Sequence, residues 1–271
     1  MGAERWLGRR VVAMTKMAMG GIAQHAIAPV TGVFDAPEGL DDAEASAFLI
    51  PFHVGYLGLH VRAVLRPGET VLVTGAASGV GTAVLQLSVA AGARTIALAG
   101  GAEKCALCEQ LGAIATIDHT QKVDLFDRVM ELTGGRGVDV AFDLLGGDLT
   151  ENIPTCMALG GRYLPVGFAG DPQGGFTGRP LRRVSMGNFS ILGVMLGYGP
   201  AVGPMRRMGV KLYPPEIGAT THAALCELLK AGRIRPTIGR RIRMEEVASA
   251  LAEHEARRTS GRTVVDVTAS R

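Results

Sequence analysis

The chain has 271 residues, 47% of them hydrophobic and 20% charged, with a formal net charge of +3. That length carries one large domain or two modest ones with a full core, and the composition is that of a globular protein. The small charge excludes nucleic acid as an expected partner, and the arginine groups Arg182/Arg183, Arg206/Arg207, Arg257/Arg258 and Arg240/Arg241/Arg243, with no aromatic residues among them, read as solvated faces.

Short strands and turns are predicted over 10–34. Glu38 to His60 reads as helical, with Pro51 interrupting it. Arg66-Pro67-Gly68-Glu69 is a turn, and Thr70-Val71-Leu72-Val73-Thr74 is a short apolar strand of the kind found in a parallel sheet covered on both faces. A glycine-rich turn, Gly75 to Gly81, leads into a helix from Thr82 to Ala91. The alternation then repeats. Strands are predicted at Arg94 to Ala99, Ala115 to Asp118, Val138 to Leu144, Arg162 to Val166 and Phe189 to Val194. Helices are predicted at Glu103 to Leu111, Leu125 to Thr133 and Thr150 to Leu159, closed by Gly112, Gly134-Gly135 and Gly160-Gly161. This β-α-β pattern argues for an α/β fold with a doubly wound parallel sheet. Beyond residue 200 the pattern changes: helices at Ala219 to Ala231 and Met244 to Arg258, strands at Pro236 to Ile242 and Arg262 to Val267. The two ends of the chain read as one second domain interrupted by the first.

Four scattered cysteines are too few for a disulfide framework. Cys105 and Cys108 form a C-x-x-C without a second ligand pair, and their spacing fits one face of a helix, so no metal site is expected. The stretch 188–205 lacks charge but is broken by Gly and Pro, which argues against a membrane span. With no secretory signal recognised, the cytoplasm is the expected compartment.

Gly75-Ala76-Ala77-Ser78-Gly79-Val80-Gly81 lies between a strand and a helix. A dinucleotide pyrophosphate needs this arrangement: small residues admit the phosphates, backbone N–H groups donate, and the helix start favours negative charge. Gly75, Ser78, Gly79, Val80 and Gly81 are therefore candidate cofactor residues. The lookalike hydrolase elbow G-x-S-x-G would need Gly where Ala76 stands. The second strand selects the nucleotide. An NAD site usually carries an acid about twenty residues beyond the glycines; here the strand ends Ala99-Gly100-Gly101, and Lys104 follows where it can reach a 2′-phosphate. NADPH is the expected cofactor, with Gly100 and Lys104 in its site and His119 a weaker candidate. None of the six histidines sits in a catalytic motif, and the catalytic residues stay unassigned.

The sequence resembles the zinc-independent medium-chain reductases, specifically the NADPH:quinone oxidoreductase group. The resemblance rests on Arg66 to Val73, Ser78-Gly79-Val80-Gly81 with Gln86-Leu87, Leu132 to Asp139, Phe142-Asp143, Gly160-Gly161-Arg162 with Val166-Gly167-Phe168, and Gly261 to Val265. It implies a Rossmann domain inserted in a partial GroES-like catalytic domain, with boundaries at 1–47, 48–197 and 198–271. It implies hydride transfer from NADPH to a quinone or an activated alkene. It also places Lys104 at the 2′-phosphate, the ends of the fourth and fifth strands with Gly146, Val166, Gly167 and Phe168 near the nicotinamide, no zinc, and a homodimer joined at the Phe189 to Val194 edge. An enoyl-thioester reductase and a non-catalytic NADPH-binding protein are the competing readings. In two respects the chain departs from the family. Val54-Gly55-Tyr56 stands where Thr-Ala-Tyr is expected. Gly8 to Val12 resembles a strand deep in the catalytic domain, so the opening strands on the substrate side are expected to be missing and activity correspondingly low.

Overall fold

The computed structural model describes residues 2–16, 20–147, 152–167, 184, 186–200, 203–207 and 209–268. Its strands are β1 (Val11–Ala13), β2 (Val33–Asp35), β3 (Thr70–Thr74), β4 (Arg94–Ala99), β5 (Ala115–Asp118), β6 (Val138–Asp143), β7 (Met157–Pro165), β8 (Ser190–Ile191), β9 (Ile238–Arg243) and β10 (Arg262–Asp266). The main helices are α1 (Asp42–Tyr56), α2 (Gly79–Ala90), α3 (Ala102–Gln110), α4 (Leu125–Thr133), α5 (Pro215–Lys230) and α6 (Val247–Glu255). The chain divides into two units, one of residues 1–53 with 195–271 and one of residues 54–194. The boundaries expected from sequence, 47/48 and 197/198, lie six and three residues away from these. No helix among the described residues is long and apolar enough to cross a membrane.

Residues 54–194 are organised by a six-stranded sheet in the order β5-β4-β3-β6-β7-β8, with every neighbouring pair parallel. All of β3 and β6 is buried, as a sheet with helices on both faces requires. Leu72, Ile96, Val129, Ala141 and Tyr163 belong to one core cluster. Local chemistry sets the helix ends. Ser78 caps α2 by accepting from the Gly81 N–H, Asp124 caps α4 by accepting from the Asp127 N–H, and Gly134 closes α4 in the left-handed conformation.

Four expectations need correction. The helix predicted over 150–159 is, in its described part, a 3₁₀ turn at Ile153–Cys156, and β7 begins at Met157. Gly160-Gly161, read as a helix stop, lies inside the strand, where Gly160 has φ +75 and the pairing with β6 shifts register. A bulge uses glycine as readily as a helix end does. The outer strand predicted over 189–194 is two residues long, Ser190–Ile191; Asn188 just before it has φ +47, and Phe189 is 5% exposed. The long apolar edge behind the dimer expectation is therefore absent from the described residues. Finally, Pro51 does not break α1, which runs through it and continues as a π-helical turn at Leu57–Arg62. A proline inside a helix costs about 3 kcal/mol. Phe48, Leu49 and Phe52 are at most 2% exposed, and burying three such side chains at roughly 1.5–3 kcal/mol each outweighs that cost. The departure at Val54-Gly55-Tyr56 also has a packing reason: a Cβ at Gly55 would lie 2.8 Å from Leu87 Cδ1.

The other unit holds a β1-β2 antiparallel pair and a β9-β10 parallel pair. Its core contains a chain of polar groups. His222 Nε2 lies 3.0 Å from the Asp35 carbonyl, His222 Nδ1 lies 3.2 Å from His53 Nε2, and His53 Nδ1 lies 2.7 Å from the Tyr198 hydroxyl. A carbonyl only accepts, so His222 Nε2 carries the proton and, in the neutral ring, Nδ1 accepts from His53 Nε2–H. His53 Nδ1 then accepts from Tyr198 O–H. Phe34 stacks on His222 with centroids 4.8 Å apart. Burial, followed by the charge of His222, pushes His53 down to about 3, and burial lowers His222 as well.

Both rings are thus held neutral to lower pH in the folded chain than in the unfolded chain, which protonates them near pH 6.5. The unfolded state binds more protons below that value, so stability falls as pH drops from about 6.5 towards 3 by up to about 1.4 kcal/mol per pH unit for His53, and the lowered His222 adds to the loss in the same direction. Urea midpoints measured from pH 7.5 down to 5, above the range where carboxylates titrate, should fall steadily. A flat profile over that window would contradict the assigned neutral chain.

Candidate dinucleotide site

The strand order of the parallel sheet reverses between β3 and β6, and ligands of such sheets bind outside the carboxyl ends of the strands at that point. Gly75 to Ser78 leave β3 there. Gly75 sits at φ +58, and a Cβ at Gly81 would meet the Gly75 carbonyl oxygen at 2.2 Å, so glycine is what lets the first turn of α2 close against the end of β3. Ser78 is exposed and Gly79 and Val80 are half-buried. The turn is thus accessible at Ser78 to Val80, where α2 begins and where a helix start favours an anion.

Gly100 follows β4, and a Cβ there would lie 2.8 Å from His119 Nε2, so the histidine ring just after β5 lies over Gly100. His119 N–H donates to the Ala99 carbonyl. Lys104 is half-buried in the first turn of α3. Asp118, an acid that no motif singles out, also enters here. Its Oδ1 accepts from the Gly101 N–H at 2.8 Å and from the N–H and hydroxyl of Thr120. Those bonds, the Gly101 N–H first, hold its carboxyl down at about 2. It is spent on fixing the Gly101 turn, three residues before Lys104, and it puts a negative charge at the position preceding His119.

The ends of β6 and β7 are joined through Asp143. This carboxylate, 0% exposed, accepts from the Thr74 hydroxyl at 2.6 Å, the Leu145 N–H at 3.0 Å, the Gly146 N–H at 3.1 Å and the Tyr163 hydroxyl at 2.8 Å. Its carbonyl oxygen accepts from Val166 and Gly167. Gly167 packs so tightly that a Cβ would lie 2.3 Å from the Leu144 oxygen.

Gly75, Ser78, Gly79, Val80, Gly81, Gly100, Lys104, His119, Gly146, Val166 and Gly167 are therefore placed along one edge, just beyond the carboxyl ends of β3 to β7. Phe168 lies outside the described residues. Asp143, Thr74 and Tyr163 form a unit that sequence reasoning misses. The one signal for it is an acid directly after the apolar run Val140-Ala141-Phe142. Among the described residues no group of three or more His, Cys, Asp or Glu is placed to hold a metal ion.

Residues 79–208 match the family model described as zinc-binding dehydrogenase. The chain is 30% identical over 261 residues to "Quinone oxidoreductase-like protein 2" of Bos taurus, covering 96% of this chain and 70% of that protein. It is 31% identical over 225 residues to "Quinone oxidoreductase" of Sus scrofa, covering 79% and 68%. A solved structure titled as an NAD-dependent alcohol dehydrogenase superposes with TM-score 0.76 at 28% identity, over 92% of this chain and 66% of that one. The chain thus spans about two thirds of the length of the relatives it matches.

Proposed function

The chain belongs to the quinone oxidoreductase group of the zinc-independent medium-chain dehydrogenases and reductases, and from that premise we propose that it binds NADPH and delivers hydride to a quinone or an α,β-unsaturated carbonyl. The observation that carries this reading is the alignment of the glycine turn, the Gly100/Lys104/His119 corner and the Asp143-tied loops along one carboxyl edge of the sheet. NADPH, when bound, supplies the hydride from its nicotinamide. The chain's own part is to bind and orient. The turn from Gly75 to Gly81 takes the pyrophosphate, Lys104 and His119 take the 2′-phosphate, and the backbone at Gly146, Val166 and Gly167 borders the nicotinamide ring. Asp143 holds these last segments in register. Asp118 is bonded to its own turn rather than offered to a ribose hydroxyl, and its charge makes a cation at 104 necessary if a phosphate is to bind beside it.

The experiment is a titration of both cofactors. The parent protein should prefer NADPH. Lys104→Ala should weaken NADPH by roughly tenfold to 150-fold, the effect of losing a charge-assisted hydrogen bond of about 1.5–3 kcal/mol, and should leave NADH unchanged. Equal affinities in the parent, or a preference for NADH, would overturn the assignment of the 2′-phosphate.

A further inference from the structure

The opposite edge of the same sheet carries a second polar cleft, at the amino-terminal ends of β3 and β6. It is a cavity of about 570 Å³ lined by Arg66, Arg94, Arg136, Glu69, Asp139 and Thr70 among others. Its two acids are already engaged. Asp139 is held bidentately by Arg136, with Nη1–Oδ1 2.7 Å and Nη2–Oδ2 2.5 Å, and also accepts from the Thr70 N–H. Glu69 is held bidentately by Arg162, at 3.0 and 2.6 Å, and accepts from the Arg66 N–H. Each carboxylate thus has its own guanidinium. The guanidinium groups of Arg66 and Arg94 remain, and neither has a hydrogen-bond or ion-pair partner among the described residues. Three arginines and two acids line the cleft, and because Arg162, which is not in the lining, already neutralises Glu69, the charges of Arg66 and Arg94 are left uncompensated.

We propose that this cleft is an anion site, separate from the dinucleotide edge, that takes a small phosphate or polyphosphate group between Arg66 and Arg94. A guanidinium presents its donors as a planar fork that matches a phosphate, and two such forks facing one cleft suit an anion with several oxygens. The lining is predominantly polar, so it does not suit a quinone or a nicotinamide ring. The five residues of β3 separate it from the glycine turn by roughly 16 Å at about 3.3 Å per residue, so one pyrophosphate cannot span both.

The test is calorimetric titration with inorganic pyrophosphate, at low salt and with NADPH saturating. Saturable binding is expected. It should weaken about tenfold or more in the Arg66→Ala/Arg94→Ala double variant, as for lost charge-assisted bonds, and weaken steeply with added salt. The affinity for NADPH should be the same in the double variant as in the parent. Both arginines are exposed, so the substitutions leave the core intact. Three results would overturn the proposal: no saturable pyrophosphate binding, binding abolished by NADPH, or binding unchanged in the double variant.

Discussion

Gly81→Ala is expected to abolish cofactor binding and to destabilise the sheet-bearing unit by about 3 kcal/mol or more, at the upper end of overpacking substitutions. The added Cβ would stand 2.2 Å from the Gly75 oxygen and 2.7 Å from both the Ala76 carbonyl carbon and its oxygen. These are backbone atoms, so no rotamer relieves the overlap. The first turn of α2 has to lift, and it carries the N–H groups meant for the pyrophosphate. Ser78→Ala is the matched control at the same turn. It removes only the Oγ acceptor that caps the Gly81 N–H, a loss of about 1 kcal/mol. The two variants should therefore separate clearly in urea midpoint and in NADPH titration. If Gly81→Ala kept the parent's midpoint and affinity, the close approach of α2 to β3 would not be what makes this turn a binding site.

Most of the sheet is legible in the amino-acid sequence, because continuous apolar runs bounded by glycine and polar turns have few alternatives in an α/β chain. Arg94 to Ala99, Ala115 to Asp118 and Leu125 to Thr133 have the same limits whether taken from the residue pattern or from the fold. The pattern misleads where one residue type serves two purposes. Gly160-Gly161 punctuates a helix in one reading and a strand bulge in the other, and only the partner strand β6 decides. Pro51 is overruled by the burial of its neighbours, a tertiary effect invisible locally. The site shows the same division. The glycine turn is contiguous and announces itself. The Asp118–Gly101 bond joins residues 17 positions apart and the Asp143–Thr74 bond residues 69 apart, and no spacing rule links them. His53 and His222 stand 169 positions apart, and neither sits in a motif. Their role as a directional pair exists only once β2 brings the Asp35 carbonyl to one end.

Asp143→Ala should cost about 3–5 kcal/mol, because the carboxylate has no cation to lose but four donors to abandon, three of them buried. The Thr74 and Tyr163 hydroxyls and the Leu145 and Gly146 N–H groups all donate to it. Three of these converge on Oδ1 while Tyr163 uses Oδ2, which makes Asp143→Asn a sharp comparison. An asparagine oxygen at the Oδ1 position keeps three donors, and its amide then donates to Tyr163, whose hydroxyl reverses to accept. That variant should lose only about 1–2 kcal/mol. Thr74 also accepts from the Leu144 N–H at 2.9 Å, so in Asp143→Ala the disturbance passes from the end of β3 into the loop that carries Gly146. Cofactor affinity should fall in the same order as stability, alanine well below asparagine. Equal losses in the two variants would mean that negative charge at this position, rather than the geometry of its acceptors, is what the strand ends require.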